Sequence, residues 1–307
     1  MLSSSHVQLL RCSSHKRKSC LFMPTRRFLS APIISALLFS VGFGCVNADE
    51  IAPAKPQRII SINVCLDPLL LKLVEPERIN SLYYLSANPQ FSPFAEQANK
   101  FYLNHGLAED IVPRNPDLVV AGEYTSFDLK TLLKNLGFRV ETLALPRTLS
   151  DISAHIRKFG QLTNSEIAAE KMAQALEQKL LQLDASQKNT KPVPAFWYSS
   201  NGVVIGSDTL ENELMTRAGF HNLALDKHIV GFAQIDLEEL ILAQPKVLIV
   251  DASDVQAFSL AQEYVNHPAL RANKMRIIRL PTTLSCIAPV AAEAIENLMQ
   301  QRQALSF

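Results

Sequence analysis

The chain has 307 residues, of which 48% are hydrophobic and 19% charged, a composition typical of a folded α/β protein with sizeable cores. Two domains of roughly 100–150 residues are the expectation for this length. The 30 basic residues nearly balance the 29 acidic ones, and beyond the first residues no basic run typical of nucleic-acid-binding proteins occurs. Nucleic acid is therefore excluded as an expected partner.

The first 48 residues have the order of a secretory signal peptide. Six basic residues and no acidic ones precede Asp49, an apolar run extends from Phe28 to Gly44, and Val46–Ala48 resembles a cleavage site of small residues. A membrane-spanning helix is the alternative, but the run is short and contains Pro32 and Gly42. We therefore predict cleavage after Ala48 and export to the periplasm.

Details of this leader leave alternatives open. Met23 would give a signal peptide of ordinary length and is a possible true start. Adjacent arginines after it leave the twin-arginine route open beside the general secretory route. Phe43, two residues before Cys45, argues against a lipid anchor on that cysteine. Cleavage removes six of the 30 basic residues and leaves 24 against 29 acidic ones, with Cys65 and Cys286 as the remaining cysteines.

Short apolar segments alternate with helical ones along the rest of the chain. This alternation predicts parallel β-sheets covered by helices. The predicted strands form a first series, Arg58–Asn63, Ile79–Tyr83, Leu118–Ala121 and Arg139–Leu143, and a second series, Ala195–Tyr198, Val203–Ile205, Val247–Val250 and Arg276–Leu280.

Two helices are predicted between the two series of strands. The first covers roughly Leu149–Leu162, with Ser150 or Asp151 as its cap, and the second runs from Ser165 to about Ser186, with Asn164 or Ser165 as its cap. The second helix would be on the order of 30 Å long. We predict an N-terminal α/β lobe at 57–148, a linking helical segment at 149–190 and a C-terminal α/β lobe at 191–307.

An internal repeat is the most informative pattern. Glu109 is followed seven residues later by Pro116, and Glu238 is followed seven residues later by Pro245. In both copies the glutamate opens a short helical segment, the proline ends it, and an apolar strand comes next. The two copies lie 129 residues apart, which favours two lobes of similar fold.

The sequence resembles the helical-backbone periplasmic binding proteins of ABC importers for cobalamin and ferric siderophores. The resemblance extends over 56–302. It rests on Pro56–Asn63, Cys65–Asp67, the repeat units Glu109–Val120 and Glu238–Val250, Gly137–Val140, Leu210–Leu214, Arg217–Asn222 and Leu280–Pro281.

This resemblance implies two Rossmann-like lobes joined by one long backbone helix, with a ligand cleft between them and only small closure. It implies a monomer that captures a metal-chelate small molecule and delivers it to a permease dimer with its ATPase. Cobalt or iron would belong to the ligand, so neither a resident cofactor nor a metal site of the protein is expected. Glu109 and Glu238 would contact arginines of the permease, although both also suit the start of a helix.

Cleft residues are predicted from the rule that ligands bind at the carboxyl ends of parallel strands. The loops are Asn63–Asp67, Tyr83–Pro89, Gly122–Ser126, Tyr198–Asn201 and Pro281–Cys286. The aromatic candidates are Tyr84, Tyr124, Trp197, Tyr198 and, by the resemblance, Phe232, with core packing as the alternative for each and only one of Trp197 and Tyr198 expected to face the cleft. Glu123, Asp208 and Arg147 are the nearby charged residues.

The two cysteines of the mature chain have three possible roles. Cys65 follows the first predicted strand and Cys286 follows the last one. They form a disulfide across the cleft, ligate a metal or the ligand, or are small buried residues.

An exported hydrolase is the rival class. The chain has neither a nucleophile-elbow motif nor a glycine-rich phosphate loop, and its histidines do not lie at metal-ligand spacing. We therefore predict a binding protein and not an enzyme, for a cobalamin-like or ferric-siderophore ligand. A heme-binding protein of the same importer class is the nearest alternative.

Overall fold

The computed structural model describes residues 54–187, 191–251, 267–272, 275–280 and 290–305. The predicted signal peptide, the loop Pro281–Cys286 and therefore Cys286 lie outside these residues. Within the described ranges, no helix combines the length and the apolar composition needed to cross a membrane.

The N-terminal lobe is built on a parallel sheet whose strand order is β3-β2-β1-β4-β5. Alternate residues of its central strands point to two different cores: Leu118 packs into one hydrophobic cluster and Val119 into the other. The sheet is therefore covered on both faces, as parallel sheets normally are. Its elements are β1 (Ile59–Ser61), α1 (Asp67–Leu73), β2 (Ile79–Tyr83), α2 (Ala95–Ala98), β3 (Leu103–Asn104), α3 (Ala108–Ile111), β4 (Leu118–Gly122), α4 (Phe127–Asn135) and β5 (Val140–Leu143).

Two helices follow, α5 (Leu149–Thr163) and α6 (Glu166–Gln187), within one or two residues of the predicted positions. The caps differ from the prediction. Thr148 caps α5 by accepting a hydrogen bond from Asp151 N, and the Asp151 side chain bonds back to the Thr148 N–H. Asn164 adopts a left-handed conformation with φ 51° and ends α5.

The two linking helices pack closely and are joined by ion pairs. Gly160 of α5 lies against Ala169 of α6 so closely that a Cβ on the glycine would be 2.3 Å from the alanine Cβ. The guanidinium of Arg157 bonds Glu170 at 2.7 Å and Glu177 at 2.8 Å, both on α6. The pair therefore behaves as one unit in the fold.

The C-terminal lobe contains a mixed sheet, which corrects the prediction of a parallel one. Its described strand order is β11-β10-β6-β7-β9, with β8 also paired to β6. The strand β7 is antiparallel to both β6 and β9. Only Ser200–Gly202 separates β6 from β7, and so short a connection permits a hairpin but not a crossover. The elements are β6 (Val193–Ser199), β7 (Val203–Ile205), α7 (Leu210–Arg217), β8 (Phe220–Asn222), α8 (Leu223–Asp226), β9 (Phe232–Gln234), α9 (Leu237–Leu242), β10 (Val247–Asp251), α10 (Pro268–Ala272), β11 (Arg276–Leu280) and α11 (Ala291–Ala304).

The sequence repeat corresponds to a repeat in the structure. Helix α3 leads through a 3₁₀ turn to β4, and helix α9 leads to β10. Asn115 and Gln244, the residues before the two matched prolines, both have positive φ, 44° and 51°. The two lobes therefore share this helix–turn–strand unit, including its backbone conformation.

Candidate functional site

A cavity of about 460 Å³ lies between the two lobes. Its N-terminal wall is formed by the loops after β1, β4 and β5 and by His155 of α5. Its C-terminal wall is formed by Asp208–Glu211, at the start of α7, and by Gly231 and Phe232, at the start of β9. Three loops at the carboxyl ends of parallel strands thus face the wall that the other lobe forms. Ligands of open α/β sheets bind at this edge of the sheet.

Two of the predicted aromatic residues line this cavity. Tyr124 belongs to the N-terminal wall and is 80% exposed, while Phe232 belongs to the opposite wall and is 65% exposed. The charged residues Glu123, Arg147 and Asp208 also line it. Large aromatic side chains left this open on facing walls present apolar surface that a ligand can cover.

Trp197 and Tyr198 do not line this cavity, because the structure packs both into hydrophobic cores. Trp197 is 8% exposed and belongs to one core cluster, and Tyr198 is fully buried in another. The two residues alternate across β6 as expected, but both faces of the sheet are covered, so neither face opens to the cleft.

Tyr84 lies outside the cavity as well. Its ring stacks on His105 with 4.8 Å between centroids and meets the edge of Tyr83 at 4.9 Å. The side chain is 38% exposed, so it forms part of the surface of the N-terminal lobe.

Carboxyl groups outnumber cations among the described residues that line the cavity. Glu123, Asp208 and Glu211 face the single arginine Arg147. Burial raises the pKa of Glu211, and burial lowers the pKa of His155 to about 4 although its ring bonds the backbone of Ala144. The histidine is therefore neutral at physiological pH, and the lining is acidic in balance.

The N-terminal wall depends on a close approach of two loops. Gly122 packs against Asn63 so tightly that a Cβ on the glycine would lie 2.3 Å from Nδ2 of the Asn63 side chain. The side-chain oxygen of Asn63 in turn accepts a hydrogen bond from Cys65 N at 3.0 Å. A side chain at position 122 would displace the loop that carries Cys65.

Asp67 is a buried carboxylate at the start of α1, two residues after Cys65. One carboxylate oxygen accepts hydrogen bonds from Tyr83 N at 2.8 Å and from the Ser86 hydroxyl. Complete burial raises the pKa of Asp67 to about 7. This side chain fastens α1 to the segment that follows β2.

Cys65 lines the cavity and is disulfide-bonded in the structure. Every other cysteine of the chain lies outside the described residues. Pairing of Cys65 with Cys286 therefore stays a prediction.

The two predicted docking glutamates, Glu109 and Glu238, are exposed. Each precedes an acidic residue whose carboxylate accepts hydrogen bonds within its own lobe. Asp110 accepts hydrogen bonds from His105 N at 2.8 Å and Tyr102 Oη at 3.4 Å, and Glu239 accepts one from Lys227 Nζ at 2.6 Å. Glu109 and Glu238 have no hydrogen-bond or ion-pair partner among the described residues. Both carboxylates are thus available to another molecule.

Sequence reasoning missed part of the cavity. Leu143 ends β5 and Ala144–Pro146 follow it, and the rule that ligands bind at the carboxyl ends of parallel strands would have found them had it been applied to that predicted strand. His155 and Glu211 lie on helices, and nothing in their spacing indicates that these helices border the cleft.

Known structures share this fold. The periplasmic heme-binding protein RhuT from Roseiflexus sp. RS-1 is 21% identical, with a TM-score of 0.65 over 80% of this chain and 98% of its own. The periplasmic vitamin B12-binding protein BtuF of Vibrio cholerae is 18% identical, with a TM-score of 0.60 over 82% and 99%. The periplasmic heme-binding protein HutB of Vibrio cholerae is 18% identical, with a TM-score of 0.65 over 82% and 99%.

The sequence itself gives the family. A search of curated proteins finds no match. The model of the periplasmic binding protein family matches residues 101–281, more than half of the chain. Members of this family are solute-binding proteins that work with the permease and ATPase of an ABC importer, and they are not enzymes. The chain therefore belongs to the periplasmic binding protein family.

Proposed function

We propose that this protein is the exported solute-binding component of an ABC importer and that it captures a metal-chelate small molecule in the cavity between its lobes. The observation that carries the proposal is the pair of exposed aromatic side chains, Tyr124 and Phe232, on opposite walls of that cavity. Flat aromatic faces suit a large ring ligand that is apolar on its faces and polar at its edge.

The charge of the cavity supports a cobalamin-like or ferric-siderophore ligand over heme. Heme carries two propionates, which require cations, and Arg147 is the one arginine or lysine among the described lining residues. Glu123 and Asp208 would repel them. A corrinoid edged with amides, or a neutral or cationic siderophore, meets no such repulsion. Heme is the second candidate, because RhuT and HutB, two of the similar structures, are heme-binding proteins.

Titration calorimetry with cyanocobalamin, a cationic hydroxamate siderophore loaded with iron, and hemin tests the ligand class. We expect a Kd in the micromolar range or below for one of the first two and weaker binding of hemin. Tighter binding of hemin would refute the charge argument, and no response to any of the three would refute the cargo class. Recovery of chemically unchanged ligand separates binding from the hydrolase alternative.

Variants of the two aromatic residues test the cavity itself. Tyr124→Ala and Phe232→Ala should each weaken binding by about tenfold or more, because each removes a large apolar contact area. Tyr84→Ala is the matched control, since Tyr84 is a half-exposed aromatic residue outside the cavity. Equal effects of all three substitutions would contradict the assigned site.

Export, a monomeric state and docking on the permease are part of the same proposal. Residues 1–48 would direct the chain to the periplasm, and the mature protein would act there as a monomer. Glu109 and Glu238 would dock the loaded protein on the permease dimer, one glutamate to each lobe. Their exposure and their lack of described partners support this role, because a carboxylate already paired within its lobe would lose that pairing on docking.

A further inference from the structure

Helix α7 connects the cavity to both linking helices. The residues at its start, Asp208–Glu211, form part of the C-terminal wall. One turn further, Glu213 Oε2 accepts a hydrogen bond of 2.7 Å from Leu149 N, the first residue of α5. Near its end, Arg217 bonds Asp184 of α6 at 2.6 Å. The helix that forms one wall is thus fastened to the segment that leaves the other lobe.

The bond between Glu213 and Leu149 lies directly behind the two walls. Arg147 lines the cavity on the N-terminal side, and Leu149 is two residues further along the chain. Glu211 lines the cavity on the C-terminal side, and Glu213 is likewise two residues further along. A single hydrogen bond therefore joins the backbone of one wall to the helix of the other.

The environment of this bond makes it strong. Leu149 is 1% exposed, so water does not readily replace the carboxylate at its N–H. The acceptor is an anion at the first turn of a fifteen-residue helix, where the partial positive charge of the helix end favours it. Thr148 accepts a hydrogen bond from the N–H of Asp151, and Glu213 accepts one from the N–H of Leu149, so the other lobe contributes to the capping of α5.

We propose that Glu213 is a positioning residue, which sets the separation of the two cavity walls before the ligand arrives. This inference rests on the proposed function, because it concerns the same cavity. A cavity held at the separation that binds ligand loses less freedom on binding than one that must first be assembled. Loss of the bond leaves both walls intact but no longer fixed relative to each other.

The separation of the lobes can be measured without any ligand. Spin labels attached through non-natural amino acids at Lys134 of α4 and Leu242 of α9, both exposed, avoid the native disulfide. Pulsed electron resonance should give a narrow distance distribution for the wild type and for Glu213→Gln, which keeps an acceptor oxygen. Glu213→Ala should give a broader or shifted one. An unchanged distribution in Glu213→Ala would overturn the proposal whether or not a ligand is known.

The functional arm is the affinity for whichever of cyanocobalamin and the iron-loaded hydroxamate siderophore the wild type binds more tightly. Glu213→Ala should weaken binding by about tenfold, whereas Glu213→Gln should stay within about twofold of the wild type. Glu239→Ala is the matched control, because it removes a carboxylate contact of 2.6 Å, to Lys227, that lies wholly within the C-terminal lobe. Equal loss of affinity in Glu239→Ala and Glu213→Ala would show a general effect of stability and overturn the positioning role. If the wild type binds no probe, the proposed function fails, while the distance measurement still decides whether Glu213 holds the lobes.

Discussion

Replacement of Asp67 by asparagine should change how the stability of the protein depends on pH. The carboxyl is completely buried, and its pKa rises from 3.8 to about 7 on folding, mainly because burial disfavours the charged form. The shift of roughly three units corresponds to about 4 kcal/mol at 1.36 kcal/mol per unit. Because the folded pKa is the higher one, the associated stability is present below pH 4 and is lost as the pH rises to 7.

Asparagine cannot ionise, so Asp67→Asn removes this loss. It keeps an acceptor for Tyr83 N and for the Ser86 hydroxyl, but its NH2 group replaces the second, buried carboxylate oxygen, so a constant cost is expected as well. The quantity to follow with pH is therefore the free energy of unfolding of the variant minus that of the wild type. Between pH 4.5 and pH 8 it should move by roughly 3 kcal/mol in favour of the variant.

Urea denaturation at a series of pH values measures this directly. Asp128→Asn is the matched control, because Asp128 is also an aspartate in the first turn of a helix but is exposed. Its free-energy difference should stay nearly constant over the same range. A pH-independent difference for Asp67→Asn would refute the reasoning about burial.

Three further predictions concern other groups. Thiol-specific labelling of the unfolded, unreduced mature protein should fail at Cys65 and Cys286 and succeed at both after reduction, whereas labelling without reductant would exclude their pairing. Glu109→Arg and Glu238→Arg should each reduce uptake in reconstituted vesicles at least tenfold and leave the ligand Kd unchanged, and a changed Kd would argue against pure docking roles. His155, whose folded pKa is about 4, should make the wild type lose stability as the pH falls from 6.5 to 4, and His155→Gln should reduce that loss by roughly 3 kcal/mol in urea denaturation.

The sequence predicted the long, regular parts of the fold because their patterns repeat over many residues. Both linking helices and the predicted strands occur close to their expected bounds. The strands β3, β8 and β9 have only two or three residues and, unlike the equally short but wholly apolar β7, they contain polar residues, so neither an apolar run nor an alternating pattern marks them. Strand β7 is antiparallel because only three residues connect it to β6. Strand propensity indicates where a strand lies but not its direction.

The candidate site was predictable where it follows from topology. Loops after β1 and β4 were expected at the cleft and supply Tyr124, and Phe232 came from the resemblance. Trp197 and Tyr198 were candidates because aromatic residues near a strand end suit a binding site, but the same side chains also fill the two cores of a covered sheet. One sequence does not tell these two uses of an aromatic residue apart, since both bury the ring.

The close pairing of α5 and α6 has a mechanical consequence. The contact of Gly160 with Ala169 and the ion pairs of Arg157 hold the two helices tightly against each other. We expect a connection of two packed helices to bend less than a hinge of flexible strands, and we therefore expect slow escape of the ligand from the isolated protein. Unloading would then need work done by the importer, and a ligand that exchanges within milliseconds in solution would contradict this expectation.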